Sequence, residues 1–221
     1  MIGVLQFPGS NCDLDVMRAL VDVVKTDAKL VFFKEQSLSG LEGLVIPGGF
    51  SYGDHLRAGA IAAKMPIMEE VKAMVRDGKP VLGICNGFQI LCDSGLLPGT
   101  LTKNINMKFI CKWVDLDVAN RSSVFMQKYK RNERIRMPIA HGEGRYYCDE
   151  KTLRGLQNND QIAFRYRDNP NGSVDDIAGI CNKEGNVMGL MPHPERCSEN
   201  ILGGTDGRRI FEAMVEYIKS R

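Results

Sequence analysis

The stretch Lys79-Pro80-Val81-Leu82-Gly83-Ile84-Cys85-Asn86-Gly87-Phe88-Gln89-Ile90-Leu91 changes its period halfway along. Residues 81–84 read as a short buried strand, while Phe88, Leu91 and Cys92 recur at the spacing of one helix face. Cys85 falls at the turn between the two. A strand that becomes a helix within one residue needs small neighbours at the turn, and Gly83 and Gly87 supply them two residues to either side. This is the pattern of a nucleophile elbow, with sulfur in place of a serine hydroxyl. The geometry lifts the side chain off the sheet edge and sets it at a helix N-terminus, where free N–H groups and the helix dipole favour an anion. An ordinary thiol, with a pKa of about 8.5, is only ~3% ionised at neutral pH; a downward shift of one to two units, about 1.4 to 2.7 kcal/mol, makes the thiolate abundant. Glycines also flank plain strand-to-helix turns, and free cysteines are commonly just buried. The nucleophile reading therefore needs a base from elsewhere in the chain.

Upstream, residues 2–7 form an apolar run that ends at Pro8-Gly9, and Ser10-Asn11-Cys12-Asp13 opens a helix-periodic stretch through Val24. Residues 30–33 and 44–46 are further short apolar strands, and residues 67–76 a helix. Strands alternating with helices predict an α/β fold: a mostly parallel, open sheet with helices on both faces. Ligands of such sheets bind beyond the carboxyl ends of the strands. Cys85 lies at one such end and Pro47-Gly48-Gly49-Phe50-Ser51-Tyr52-Gly53-Asp54 at another, where paired glycines can turn main-chain N–H groups toward a substrate or merely make a tight turn. After Leu97-Pro98-Gly99 the character changes. Residues 108–118, 134–140 and 145–148 read as strands of an added antiparallel segment, with residues 162–166, 177–181 and 187–190 completing the strands and a closing amphipathic helix at 206–219. Residues 127–136 carry Lys128, Lys130, Arg131, Arg134 and Arg136 against Glu133 alone, a solvated hairpin surface or a docking element.

Length and charge bound the function. The 221 residues suffice for a single domain spanning 1–221, since no linker or low-complexity run divides them. Lysine and arginine total 29 against 27 acidic residues, a net charge of +2, which offers no global field to nucleic acid or an anionic membrane. No apolar run approaches the ~20 residues of a membrane span, and the N-terminal residues lack the basic flank and cleavage site of an export signal. The expectation is a cytoplasmic protein that binds neither nucleic acid nor membrane. Seven cysteines without a C-x-x-C pair, and three histidines without ligand spacing, predict a reducing compartment and no metal site. No G-x-x-x-x-G-K-[ST] occurs, so no nucleotide cofactor is expected on this chain.

The base is expected in Met191-Pro192-His193-Pro194-Glu195-Arg196, directly after the 187–190 strand. A proline after Met191 and another after His193 bias both residues toward extended backbone. In an extended chain i and i+2 share a face, so Glu195 can orient the imidazole of His193 while the other ring nitrogen takes the thiol proton. His141, in Ile139-Ala140-His141-Gly142-Glu143-Gly144-Arg145, also lies two residues from an acid, but its glycines leave the segment loose. His141 and Arg145 are read as substrate-side or interface residues.

Pro47-Gly48-Gly49, Gly83-Ile84-Cys85-Asn86-Gly87-Phe88-Gln89 and His193-Pro194-Glu195, in that order, resemble the class I, triad-type glutamine amidotransferases. Further matches at Pro8-Gly9-Ser10-Asn11-Cys12-Asp13, Gly49-Phe50-Ser51-Tyr52-Gly53-Asp54, Phe109-Ile110-Cys111-Lys112-Trp113 and residues 138–145 resemble the branch that serves amidation of formylglycinamide ribonucleotide in purine biosynthesis. The resemblance implies that Cys85 attacks glutamine to form a thioester, with His193 as base and Glu195 orienting it. It implies an oxyanion hole from main-chain N–H groups of the Gly48-Gly49 loop and of Asn86, with Gln89 helping to hold glutamine. It also implies a synthetase subunit that binds Mg-ATP and receives the ammonia, together with a small third subunit. Two readings compete with it: a stand-alone α/β cysteine hydrolase, and a dead scaffold subunit, which would lack the triad.

Overall fold

The computed structural model describes residues 1–221. Nine strands form one sheet: β1 (Ile2–Gln6), β2 (Ala28–Phe32), β3 (Gly43–Ile46), β4 (Val81–Ile84), β6 (Ile110–Val118), β7 (Arg134–His141), β9 (Ile162–Tyr166), β10 (Ile177–Cys181) and β11 (Val187–Leu190). Their spatial order is β2-β1-β3-β4-β11-β10-β9-β6-β7. The first five are parallel, with α1 (Asp13–Arg18) between β1 and β2, α2 (Ile67–Arg76) between β3 and β4, and α3 (Asn86–Asp93) following β4; the rest of the sheet is antiparallel. This is the mostly parallel sheet with an antiparallel extension that the alternation of apolar runs predicts.

Two glycines show how the faces are covered. Register pairs Ile46 with Gly83, so Gly43 and Gly83 point to opposite faces. A Cβ on Gly43 would meet Met214 and Ile218 of the closing helix α5 (Arg208–Ser220), and one on Gly83 would meet Leu91 of α3. Helices thus close on the sheet from both sides, and 58 buried residues form one core cluster. No helix is long and apolar enough to cross a membrane.

Two elements lie outside the sequence expectation. β5 (Thr100–Thr102) pairs with β8 (Arg145–Tyr147) in a separate two-stranded sheet, and α4 (Glu150–Asn158) precedes β9. α4 buries only Leu156 fully; its start is set by Asp149, whose carboxylate accepts from Thr152 N at 2.7 Å. The basic segment 127–136 is partly spent on internal pairs. Lys128 pairs with Glu216 of α5, Arg131 with Asp160 at 3.8 Å, and Arg136 with Asp115 at 3.2 Å. Buried Tyr129 carries the guanidinium of Arg209 over its ring at 4.3 Å.

β7 ends the sheet, yet its outer edge is not bare. Pro138 has no N–H to leave unpaired there, and its carbonyl accepts the His193 N–H at 2.8 Å. Arg136 N donates to Asp206 Oδ2 at 2.9 Å, and Cys197 Sγ donates to Arg136 O at 3.2 Å. The segment following β11 therefore seals the edge of β7.

Candidate active site

β4 and β11 run side by side, with Ile84 opposite Leu190, and Cys85 N continues the ladder to Leu190 O at 2.8 Å. The two strands end level, which brings the residues after Leu190 beside Cys85. Cys85 itself has φ 49° and ψ −101°, a conformation that costs a residue with a side chain about 1–3 kcal/mol. The flanking glycines are needed for closeness: a Cβ on Gly83 would lie 2.5 Å from Leu91 Cδ1, and one on Gly87 would collide with the carbonyl of Ile46. Because main chain gives way less readily than a side-chain tip, Gly87→Ala is expected to cost about 1–3 kcal/mol, read as a lower urea midpoint.

His193 is 1% exposed and has φ −102°, ψ 92°, the extended backbone predicted from its following proline. Glu195 departs from the expectation. Pro194 begins a 3₁₀ turn, Pro194–Cys197, so the carboxylate reaches the ring from a turn and not from a continued extended chain. The pair still forms, with His193 Nδ1 to Glu195 Oε1 at 2.6 Å and Glu195 2% exposed. Nδ1 carries the proton donated to the carboxylate, which leaves Nε2 as the free nitrogen, buried and without a protein partner. Burial alone would push the imidazole pKa down; the Glu195 carboxylate, and after it the Cys85 sulfur, outweigh this and hold it well above the ordinary value. The Cys85 thiol donates to Ala140 O at 3.8 Å.

The Gly48-Gly49 loop passes next to the elbow. Gly49 has φ 144°, and its N–H makes no hydrogen bond within the chain. Asn86 is the first residue of α3, so its N–H belongs to the helix's unpaired first turn. The side chains carry a relay absent from the sequence reading. Ser51 N donates to Asn86 Oδ1 at 3.2 Å, Asn86 Nδ2 to Gln89 Oε1 at 2.9 Å, and Gln89 Nε2 to Glu143 O at 2.6 Å. Ala58 N closes the loop on Glu143 Oε2 at 3.3 Å. Gln89 thus ties the glycine-rich loop to the 141–144 turn. Burial and the nearby Glu143 raise the Asp54 carboxyl to about 6.

His141, read from the sequence as a substrate-side or interface residue, lies inside the chain. It is 3% exposed, bonded through Nδ1 to Asn104 Oδ1 at 3.0 Å, and Asn104 Nδ2 returns a bond to its carbonyl at 2.9 Å. Burial, and secondarily His193, depress its pKa to about 4, so it is neutral at physiological pH. Arg145 holds the neighbouring loop through Gly172 O at 3.0 Å. Sequence reasoning gave no role to Cys12 or Arg196; the guanidinium donates to Cys12 Sγ at 3.0 Å. Cys12, His193 and Glu195 present ligand-type atoms within 4.8 Å of one another. A cation there would have to break the 2.6 Å His193–Glu195 bond and displace Arg196, so the cluster fits proton handling better than metal binding.

A strained cysteine at a strand-to-helix turn, a carboxylate-anchored histidine level with it, and a glycine loop whose Gly48 abuts that histidine bring together the kinds of group that acyl transfer draws on. The family of CobB/CobQ-like glutamine amidotransferase domains matches residues 1–218. The chain is 54% identical to the phosphoribosylformylglycinamidine synthase subunit PurQ of Methanosarcina acetivorans, over 98% of this chain and 97% of that one. It is 55% identical to the PurQ subunit of Methanosarcina barkeri over the same shares of the two chains. Among solved structures, PurLQS from Thermotoga maritima matches with a TM-score of 0.90 at 44% identity, covering 98% of each chain. The chain belongs to the CobB/CobQ-like glutamine amidotransferase family and, within it, to the PurQ subunits.

Proposed function

We propose that this chain is the glutaminase subunit of a phosphoribosylformylglycinamidine synthase of purine biosynthesis. The observation that carries the chemistry is the strained elbow of Cys85 set level with the Glu195-anchored His193. His193 Nε2 takes the thiol proton of Cys85 as the sulfur attacks the side-chain carboxamide carbon of glutamine, and the developing oxyanion is received by the N–H groups of Gly49 and Asn86. Imidazolium His193 gives its proton to the departing nitrogen, the C–N bond breaks, and ammonia leaves a γ-glutamyl thioester on Cys85. Neutral His193 then takes a proton from water, which opens the thioester to glutamate and restores the thiol. Glu195 keeps Nδ1 protonated throughout, so Nε2 does the exchange. Gly48 lets the loop pass His193, because a Cβ there would lie 2.8 Å from its Cε1.

No cofactor is assigned to this chain. The partners proposed are a synthetase subunit that binds Mg-ATP and uses the ammonia, and a small third subunit; the subunit name of the relatives and the PurLQS match support such an assembly. The test compares glutamine hydrolysis by the chain alone and with synthetase, small subunit and Mg-ATP. A partner-dependent rise of roughly 10²-fold or more is expected, the worth of one oxyanion donor brought into place. Equal rates would instead make the chain a stand-alone cysteine hydrolase.

A further inference from the structure

Two side chains that the reaction does not call on meet beside the triad. Cys12 follows β1, and Arg196 follows Glu195, 184 positions away in the chain. Arg196 Nη2 donates to Cys12 Sγ at 3.0 Å, and Arg196 Nε lies 3.7 Å from Glu195 Oε1. That oxygen is the one receiving the Nδ1–H of His193 at 2.6 Å. Cys12 is 2% exposed, and its sulfur abuts the glycine loop: a Cβ on Gly48 would lie 3.2 Å from Sγ. Its main-chain N–H donates to Gly48 O at 3.2 Å. Cys12 therefore touches the oxyanion loop through its backbone and the anchor of the base through Arg196, and its sulfur lies within 4.8 Å of ligand-type atoms of His193 and Glu195 themselves.

We propose that Cys12 and Arg196 form a clasp that sets the Glu195–His193 hydrogen bond, both acting as positioning residues; the inference rests on Cys85 being the glutaminase nucleophile. A guanidinium free to turn would close on Glu195 as a two-pronged pair and draw Oε1 away from the imidazole. The sulfur occupies one of its N–H groups and keeps the cation at 3.7 Å, close enough to attract the carboxylate and too far to displace Nδ1–H. The cation also opposes over-stabilisation of the imidazolium by Glu195. His193 can then release its proton to the leaving nitrogen and return as the base for the second half of the cycle.

The test measures kcat, KM and the pH profile of glutamine hydrolysis in the assembled enzyme. Cys12→Ala is expected to lower kcat by roughly ten- to a hundredfold, the scale of a small misplacement of a reacting group, with KM changed less than about twofold. Cys12→Ser keeps an acceptor for Arg196 and should stay within about threefold of the wild type in kcat. Arg196→Met removes the opposing cation, so His193 should hold its proton to higher pH and the acid limb of kcat should move up by about one unit. In the Arg196→Met background Cys12→Ala should cost less than in the wild type, because part of its effect runs through the Arg196 contact. An acid limb unmoved by Arg196→Met, or equal effects of Cys12→Ala in both backgrounds, would overturn the clasp and leave the pair as packing. If Cys12→Ala does not assemble, the Arg196→Met profile and the Cys12→Ser rate decide alone. A wild-type enzyme that does not hydrolyse glutamine would overturn the glutaminase reading itself, a distinct outcome.

Discussion

Replacing Cys85 with alanine is expected to lower glutamine-dependent turnover by roughly 10³-fold or more while the fold and its ammonia-accepting partners are unaffected. The effect is large because the other groups are arranged around the sulfur: His193 has no thiol to exchange a proton with, and the loop N–H groups have no oxyanion to receive. A glutamine-mimicking diazoketone should add one mass equivalent, found on the Cys85 peptide. The six other cysteines are free, and Cys111 is the exposed one, so labelling confined to Cys85 would reflect reactivity and not access. Labelling of Cys12 or Cys197 with Cys85 untouched would remove the proposed mechanism.

Loss of His193 should be nearly as severe, and the contrast with His141 tells base from scaffold. His193→Ala should abolish thioester formation in single-turnover experiments, whereas Glu195→Gln should cost less, since an amide can still meet Nδ1–H through its oxygen. His141→Ala should leave thioester formation intact and appear in stability. Its folded-state pKa of about 4 lies below the ordinary 6.5, so the unfolded chain binds the extra proton first as pH falls. Stability from His141 is therefore full above about pH 6.5 and lost progressively toward pH 4, by about 3 kcal/mol. Acid-side denaturation curves that do not differ between the wild type and His141→Ala would contradict its buried, neutral state, and loss of thioester formation in His141→Ala with His193→Ala active would reassign the base.

What the sequence reveals and what it hides follow from how local each interaction is. The elbow is legible because its demands fall on neighbours: a change of period at Cys85 and two glycines forced by contacts with Leu91 and Ile46. His193 and Glu195 are legible because they lie two positions apart, although the turn that joins them is a 3₁₀ turn where extended chain is expected. The Arg196–Cys12 contact joins ends of the chain that nothing in the one-dimensional pattern links, and the same holds for Gln89 with Glu143 and Asn104 with His141. α4 is hidden for another reason: it is short and mostly polar, with Leu153 and Leu156 as the only apolar markers of its buried face. His141 misleads because glycines beside it suggest a loose surface, when a Cβ on Gly144 would collide with its ring, so that glycine is there to let the histidine in.

The sealed edge of β7 divides the site into a half that can move and a half that cannot. The residue carrying the base is stitched by its own amide to Pro138, and the segment behind it caps Arg136. Swinging His193 aside to admit substrate would strip the protective border from a nine-stranded sheet and present an open ladder to any neighbouring chain, a route to edge-to-edge aggregation. Access to Cys85 is accordingly expected from the opposite bank, where the glycine loop is tied to Pro8, Gly9, Cys12 and Asn86 by isolated hydrogen bonds and belongs to no ladder of the nine-stranded sheet. A fold that uses its base as a border guard has in effect chosen which wall of its reaction chamber is the door.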